Sequence, residues 1–277
     1  MNGRAAFERL VAEGAAAPLN GWDFSWFEGR ATEERPSWGY TTLAARRIPA
    51  ATSVLDIQTG GGEVLAELLA RARVAPSILA ATEWHPPNVT GAARALGPWG
   101  VSVVDAPDDG PLPFPNDHFD LVLSRHPTVT IWEEIARVLK RGGTYFSQQV
   151  GTGSNRELTD FMMGPQPISD RHSAARARSE AERSGLDVVD LRQESLRLTF
   201  DDVAAVVVFL RMVVWTVPDF SVDRYRERLA SLHEQIESTG PFVSHAHRFL
   251  IEAAKPVRAT RPSAGCGVRG AEAGDDR

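Results

Sequence analysis

The stretch that decides the fold of this chain is residues 54–63, which read Val-Leu-Asp-Ile-Gln-Thr-Gly-Gly-Gly-Glu. The apolar residues Val54, Leu55 and Ile57 predict a short, buried strand of a parallel sheet. Three glycines follow directly, and apolar residues at helical spacing come after them. A strand, a glycine turn and a helix form the arrangement in which backbone can approach a bound ligand closely.

A second acidic residue ends the next apolar run of the chain. Residues 78–82 read Ile-Leu-Ala-Ala-Thr, and Glu83 follows them. In a doubly wound sheet, a carboxylate at the tip of the second strand is where a ribose is held. We therefore expect a nucleotide-like ligand between the glycine turn and Glu83.

The acidic residues on both sides of the glycines indicate the charge of that ligand. Asp56 precedes the turn and Glu63 follows it. Two carboxylates would repel the pyrophosphate that a Gly-x-Gly-x-x-Gly turn binds, whereas they suit a cation. S-adenosylmethionine carries a sulfonium and an ammonium group, so it fits this segment better than NAD. The chain also lacks a Gly-Lys-Ser/Thr sequence, which disfavours a P-loop.

Four motifs between residues 52 and 150 resemble those of the class I S-adenosylmethionine-dependent methyltransferases. The segment 56–62 matches the family's (Asp/Glu)-x-Gly-x-Gly-x-Gly except at Gln58, and Glu83 matches its second acidic position. Residues 112–122, Leu-Pro-Phe-Pro-Asn-Asp-His-Phe-Asp-Leu-Val, look like its LPFPDxxFDLV segment. Residues 134–143, Glu-Ile-Ala-Arg-Val-Leu-Lys-Arg-Gly-Gly, look like its EixRVLkPGG segment.

The resemblance implies a cofactor and a set of residues that bind it. The cofactor is S-adenosyl-L-methionine, and the product is S-adenosyl-L-homocysteine. Glu83 takes the place of the family residue that binds both ribose hydroxyls, and Asp105 follows a strand where the family commonly has an Asp near the adenine amino group. The expected cofactor-binding residues are Asp56, Gln58, Thr59, Gly60, Gly62, Glu83, Trp84, Asp105, Ala106, Ser124 and Arg125.

Gln58 departs from the family motif, which has glycine at this position. One interpretation is a tolerated substitution at a residue with ordinary backbone dihedrals. A second is that the Gln58 amide contacts the methionine carboxylate of the cofactor or the substrate. A third is a homologue that binds the cofactor poorly and does not transfer a methyl group.

The amino-acid composition and charge indicate what kind of protein this is and which substrates are disfavoured. Of the 277 residues, 43% are hydrophobic and 24% are charged, which is ordinary for a globular protein in water. The formal net charge of -6 disfavours a nucleic-acid substrate. Cys266 is the single cysteine, so no internal disulfide is possible. With no signal peptide or membrane span in the sequence, we expect a cytoplasmic protein, and both a monomer and a homodimer stay open.

Strands and helices alternate along the chain, which predicts an α/β fold. We expect a Rossmann-like, seven-stranded and mostly parallel sheet with helices on both faces, plus a helical insertion. The predicted parts are an N-terminal helix with an aromatic-rich cover (1–50), the cofactor-binding core (51–198), a helical cap (199–243), the last core strand (244–255) and a disordered tail (256–277).

The acceptor side of the site is less clearly marked than the cofactor side. Methyl transfer is an in-line displacement that needs a nucleophile held at about 3 Å, and many such enzymes add a general base. His126, which follows a strand ending in Ser124-Arg125, is the candidate base. Its alternative is a histidine that bonds local backbone or lines the cofactor pocket. Arg125 could bind a carboxylate of the substrate or cofactor, or form a salt bridge instead.

Aromatic and amide side chains are the remaining candidates for contact with the acceptor. Each aromatic residue alone could equally well bury apolar surface, and the two amides could be structural. The expected substrate residues are Trp26, Trp38, Tyr40, Gln148, Gln149 and Trp215. His245 and His247 lack a third ligand nearby in the sequence, so we predict no metal site.

These patterns lead to one main hypothesis and two alternatives. The main one is a methyltransferase that uses S-adenosylmethionine to methylate an oxygen or nitrogen atom, with carbon possible, of a small molecule. The first alternative is methylation of an RNA base. The second is a cofactor-binding homologue that transfers no methyl group, and Gln58 is the residue that permits it.

Overall fold

The structure is a computed structural model, and it describes residues 3–19 and 24–257. The tail expected to be disordered lies, from residue 258 onward, outside the described residues. The strands are β1 (Ala31–Glu33), β2 (Ser53–Ile57), β3 (Ile78–Glu83), β4 (Ser102–Asp105), β5 (Phe119–Arg125), β6 (Leu139–Val150), β7 (Asp187–Phe200) and β8 (Phe242–Ala254). The α-helices are α1 (Gly3–Ala16), α2 (Tyr40–Arg47), α3 (Glu63–Ala72), α4 (Pro86–Leu96), α5 (Trp132–Val138), α6 (Arg156–Met163), α7 (Ala174–Arg183), α8 (Val203–Met212) and α9 (Val222–Thr239).

All the described strands form one sheet in the order β1-β7-β8-β6-β5-β2-β3-β4. Strands β2 to β6 pair in parallel, and β8 runs antiparallel between β6 and β7. The prediction of a mostly parallel α/β sheet is confirmed. The predicted count of seven strands is wrong, because Ala31–Glu33 adds an eighth, antiparallel edge strand on the end of β7. This strand lies in the aromatic-rich cover (1–50), where the sequence predicts no strand.

Helices cover both faces of the sheet, and the strand residues alternate between them. On one face, Leu121 and Leu123 pack with side chains of α2, α3 and α4. On the other, Val122 packs with side chains of α5 and α7. Every residue of β2 is buried, as expected for a parallel strand covered on both sides.

The last two strands are longer than the core requires. β6 ends at Val150, opposite Arg248, whereas β7 and β8 stay paired as far as Phe200 and Phe242. The β7–β8 ribbon therefore extends beyond the carboxyl end of β6. This pairing also places the start of β8 at Phe242, two residues before the predicted start at residue 244.

Helices α8 and α9 lie between β7 and β8 in the chain and have an apolar core of their own. Val207 of α8 and Leu229 of α9 are fully buried and cluster with Phe7 of α1. Gly14 lets α1 approach α8, because a Cβ there would lie 2.8 Å from the Ala204 carbonyl oxygen. Within the described residues, every helix is too short or too polar to cross a bilayer.

Candidate active site

Two carboxylates meet at the carboxyl ends of β2 and β3. The two strands pair in parallel, with Asp56 opposite Ala81, so Asp56 and Glu83 end up on the same edge of the sheet. Both residues are 5% exposed. We call them the carboxylate pair. The sequence predicted both side chains at this edge.

The carboxylate pair makes an electrostatic environment that favours a cation. Burial raises the pKa of Asp56 to about 7; a hydrogen bond from Thr59 opposes this rise, and the charge of Glu83 adds to it. The Thr59 hydroxyl donates to Asp56 Oδ2 at 2.6 Å. A positively charged ligand would relieve the repulsion between the two carboxylates.

Glu83 also fixes the shape of the glycine turn. Its Oε2 accepts from the Gly60 amide at 2.8 Å, and its Oε1 accepts from the amides of Trp84 at 3.1 Å and His85 at 3.0 Å. A carboxylate offers about four acceptor positions, so about one is left for a ligand hydroxyl. The residue expected to bind a ribose is therefore also a structural support of the turn.

The turn needs glycine at two places. Gly60 and Gly62 have φ angles of +63° and +84°, which favour a residue without Cβ. A Cβ on Gly62 would lie 2.8 Å from Leu96 Cγ and 3.1 Å from Ala92 Cα. Gly62 therefore allows α4 to pack directly on the turn.

Gln58 has a φ angle of +56°, in the left-handed region. The interpretation of a tolerated substitution with ordinary dihedrals is therefore wrong. A non-glycine residue in this region costs about 1 kcal/mol. The strain gives a physical reason for glycine at this position of the motif, and it raises the question of what holds a glutamine there.

The side chain of Gln58 is held at both ends of its amide. Its Nε2 donates to the Val129 carbonyl oxygen at 2.7 Å, and its Oε1 accepts from the Thr128 amide at 2.6 Å. The Thr128 hydroxyl in turn donates to Asp108 Oδ2 at 2.6 Å. We call Gln58, Thr128 and Val129 the Gln58 clasp. No sequence pattern predicts these partners, because they belong to a connection distant in the chain.

The clasp lies close against the edge of the sheet. The cavity next to it is lined by Ile57, Ser124 and Tyr145, among others, and has a volume of about 20 Å³. This is room for about one water molecule. The Gln58 amide is therefore committed to the β5–α5 connection, and the expected contact with a ligand would require it to leave these bonds.

Hydrogen bonds to Gln148 fix the tautomer of the His126 imidazole. Its backbone amide donates to the Gln148 carbonyl oxygen at 2.7 Å, and its Nε2 lies 2.8 Å from the Gln148 amide nitrogen. The Trp38 indole, which can only donate, donates to Gln148 Oε1 at 2.8 Å. The amide nitrogen of Gln148 must therefore donate to His126 Nε2, which puts the imidazole proton on Nδ1.

The electrostatics of His126 agree with this assignment. Burial lowers its pKa well below the usual value, and the charges of Arg125 and Arg248 lower it further. The imidazole is thus neutral at pH 7, with its Nε2 lone pair occupied. In this arrangement the ring offers a hydrogen-bond donor at Nδ1, and its use as a general base stays a prediction.

Of the three aromatic residues expected in the N-terminal cover, two reach the site. Trp38 is 7% exposed and bonds Gln148, and the buried Tyr40 donates to the Ser124 carbonyl oxygen at 3.2 Å. Trp26 instead packs edge-on to Phe27, against the α8–α9 cluster, and Arg30 lies over its ring. Its predicted place at the substrate is not supported by these contacts.

The two adjacent glutamines point to opposite faces, as strand alternation predicts. Gln148 bonds Trp38, whereas Gln149 donates to the Tyr145 hydroxyl at 3.3 Å on the other face. Trp215, expected on the substrate side, is 56% exposed and follows α8.

The remaining predicted cofactor residues lie near the carboxylate pair or at the next strand end. Asp105 stands beside Glu83 in the strand register, and the Ala106 amide donates to the Glu83 carbonyl oxygen. Trp84 is 52% exposed, and Ser124 is buried at the end of β5. Residues 3–19 and 24–257 contain no group of three or more His, Cys, Asp or Glu residues that could hold a metal ion.

Comparison with known proteins identifies the kind of domain. Residues 55–147 match a family model described as a methyltransferase domain. This match confirms the resemblance to a methyltransferase domain over about a third of the chain. No curated protein matches the chain significantly.

Three solved structures share the fold at low sequence identity. A presumed methyltransferase from Bacillus halodurans is 16% identical, with a TM-score of 0.53 over 78% of this chain and 98% of that chain. The YcgJ protein from Bacillus subtilis is 18% identical, with a TM-score of 0.54 over the same shares. A protein of unknown function from Deinococcus radiodurans is 14% identical, with a TM-score of 0.53 over 91% of this chain and 100% of that chain.

Proposed function

We propose that the protein transfers a methyl group from S-adenosylmethionine to an oxygen or nitrogen atom, with carbon possible, of a small molecule. The observation that carries this proposal is the carboxylate pair, Asp56 and Glu83, buried together at the glycine turn. A dinucleotide would place its pyrophosphate in this negative field, whereas a sulfonium cofactor places positive charge there. The methyltransferase-domain match over residues 55–147 supports the same cofactor.

The proposed cofactor position follows from the ends of three neighbouring strands. Glu83, on the middle strand of β2, β3 and β4, keeps about one acceptor position for a ribose hydroxyl. Asp105, in register with Glu83, would face the adenine. Asp56 would face the cationic part of the cofactor. When bound, the cofactor supplies an electrophilic methyl group.

The acceptor would lie toward β5, β6 and the β7–β8 ribbon. His126 and Gln148 line this side, and the ribbon with α8 and α9 extends beyond the carboxyl end of β6. We propose that α8 and α9 cap a substrate of modest size. The acidic net charge of -6 favours a small molecule over RNA.

The first test is binding, measured by calorimetry with S-adenosylhomocysteine. We expect micromolar affinity, and no detectable binding at millimolar ligand would reject the cofactor. The second test uses S-adenosylmethionine labelled in its methyl group, incubated with separate small-molecule, RNA and protein fractions of a cell extract. Label in the small-molecule fraction supports the proposal, and label confined to RNA would replace it with RNA methylation.

The Gln58 clasp favours one further candidate, a cofactor-binding protein that transfers no methyl group. The clasp occupies the Gln58 amide at the turn where the family has glycine. Binding of S-adenosylhomocysteine without label in any fraction would favour this candidate. A labelled product in any fraction would exclude it.

A further inference from the structure

Two arginines lie at the carboxyl end of β5 and on β8, and we call them the arginine pair. Arg125 ends β5, is exposed, and makes neither an ion pair nor a side-chain hydrogen bond with the described residues. Arg248 is different, since its side chain is only 12% exposed. Its guanidinium donates to Glu33 Oε1 at 2.6 Å and to the His247 carbonyl oxygen at 3.0 Å.

Strand register places both arginines on one face of the sheet. Arg125 is opposite Gln148 on β6, and Gln148 is opposite Leu250 on β8. Arg248 lies two residues from Leu250, so it shares its face. This is the face that α2 covers, and Trp38 reaches Gln148 from the same side.

The titratable side chains around the arginine pair include Glu33, Glu194 and His126. Burial lowers the pKa of Arg248; the Glu33 carboxylate raises it, and the charge of Arg125 lowers it again. His126, beside both, is neutral and presents a donor at Nδ1. Glu194 stands opposite Arg248 in the β7–β8 register and accepts from the amide and hydroxyl of Ser37, so Arg125 is the member of the pair without a bonded carboxylate among the described residues. An anion at this place would give Arg125 the bonded acceptor that it lacks among the described residues.

Arg125 lies close to Asp56, because Ser124 stands opposite Ile57 in the β2–β5 register and its carbonyl oxygen accepts from the Tyr40 hydroxyl. Burial raises the pKa of the Tyr40 hydroxyl, the charge of Asp56 raises it further, and the charge of Arg125 lowers it. One buried phenol therefore feels a negative group and a positive group. A molecule whose anion lies on Arg125 would have its neighbouring atoms near the proposed sulfonium.

From this geometry we propose that Arg125 and Arg248 bind a carboxylate of the methyl acceptor, which makes the substrate a small carboxylic acid. This inference rests on the proposed methyl transfer. A planar guanidinium binds a planar carboxylate through two parallel hydrogen bonds, which suits Arg125 because its donors are free among the described residues. Arg248, already bonded to Glu33, would contribute mainly its charge.

The test compares carboxylates with their neutral amides. Acetate, benzoate and phenylacetate, and the three matching amides, are titrated into full-length protein saturated with S-adenosylhomocysteine, and binding is followed by NMR of the arginine side chains. We expect at least one acid to bind about tenfold more tightly than its amide. Arg125→Gln should remove this preference, and Arg248→Lys should keep most of it. Arg141→Gln, an exposed arginine at the other end of β6, is the matched control.

Each outcome decides the proposal. Equal binding of acids and amides, no binding of any acid, or an unchanged preference in Arg125→Gln would overturn it. If Arg125→Gln weakens S-adenosylhomocysteine and leaves the acids unaffected, the arginine holds the carboxylate of the cofactor instead. Tighter, Arg125-dependent binding of phenyl phosphate than of benzoate would replace the carboxylate with a phosphate. The titrations are repeated without S-adenosylhomocysteine, so failure of the cofactor to bind is seen separately.

Discussion

The carboxylate pair and the arginine pair lie at the same edge of one sheet but are built in different ways. Asp56 and Glu83 are buried, and the hydrogen bonds that hold them come from the glycine turn and from the residues that directly follow Glu83. Arg125 and Arg248 come from strands distant in the chain, and one of them has no partner among the described residues. The half of the site proposed for the cofactor thus lies within one strand–helix–strand unit, residues 53–85, whereas the half proposed for the acceptor combines strands that are far apart in the chain.

The largest expected effect is the loss of cofactor affinity when Glu83 is replaced. Glu83→Ala removes the acceptor of three backbone amides and of the proposed ribose hydroxyl. We expect S-adenosylhomocysteine to bind about 3 kcal/mol more weakly in calorimetry, since bonds to a charged group are lost. Asp105→Ala, at the neighbouring strand end, is the control and should cost about 1 kcal/mol. Equal losses in both variants would mean that Glu83 has no special role.

The next effect tests the acceptor half. If His126 acts as a general base, His126→Ala should lower turnover about 10²-fold while the cofactor affinity stays unchanged. If it acts only as a donor at Nδ1, a loss of about tenfold is expected. Single-turnover rates with saturating cofactor separate the two. An unchanged rate would reduce His126 to a residue that lines the site.

A pH series compares the two halves directly. The pKa of Asp56 is raised to about 7, and a cation binds its ionised form, so cofactor affinity should be complete above pH 7 and fall below it. Between pH 8 and pH 6 we expect about a tenfold loss. Asp56→Asn should bind weakly at both values and lose this dependence. His126, whose pKa is well below 6.5, should add none in this range.

The smallest effect concerns the Gln58 clasp. Gln58→Gly relieves a left-handed residue but removes the bonds to Thr128 and Val129, so the free energy of unfolding should change by only about 1 kcal/mol. Hydrogen exchange of the Thr128 amide should become faster, because its acceptor is gone. Gln58→Asn, which has a shorter side chain, should give the same faster exchange. Unchanged exchange in both variants would contradict a role of Gln58 in holding residues 128–129.

The sequence was informative where structure depends on neighbouring residues. The buried strand, the glycine turn and Glu83 follow from composition within short segments, and the structure places them as predicted. β1 was missed because three residues, Ala31–Glu33, become a strand only by pairing with the distant end of β7. Periodicity within one segment contains no information about such a partner.

The predicted site residues also differ in how far their surroundings depend on distant parts of the chain. Asp56 and Glu83 have the expected surroundings, whereas the backbone of Gln58 and its bonds to Thr128 and Val129 depend on a connection some seventy residues away. Arg248 lies within the predicted last strand (244–255) but was overlooked, because its partner Glu33 belongs to a strand distant in the chain. Only the pairing register of β8 with β6 places Arg248 on the face of Gln148.

The β7–β8 ribbon has a consequence for how this protein could acquire a new acceptor. β8 begins at Phe242, just after α9, and passes through Arg248 before it joins the middle of the sheet. The helices that would shape the pocket and Arg248, which would add its charge, therefore form one continuous stretch of chain, whereas Arg125, which would bond the acceptor, lies outside it on β5. An exchange of residues 194–248 between relatives would replace the pocket walls but keep Arg125, so it would change the shape of the accepted acid and retain the preference for a carboxylate.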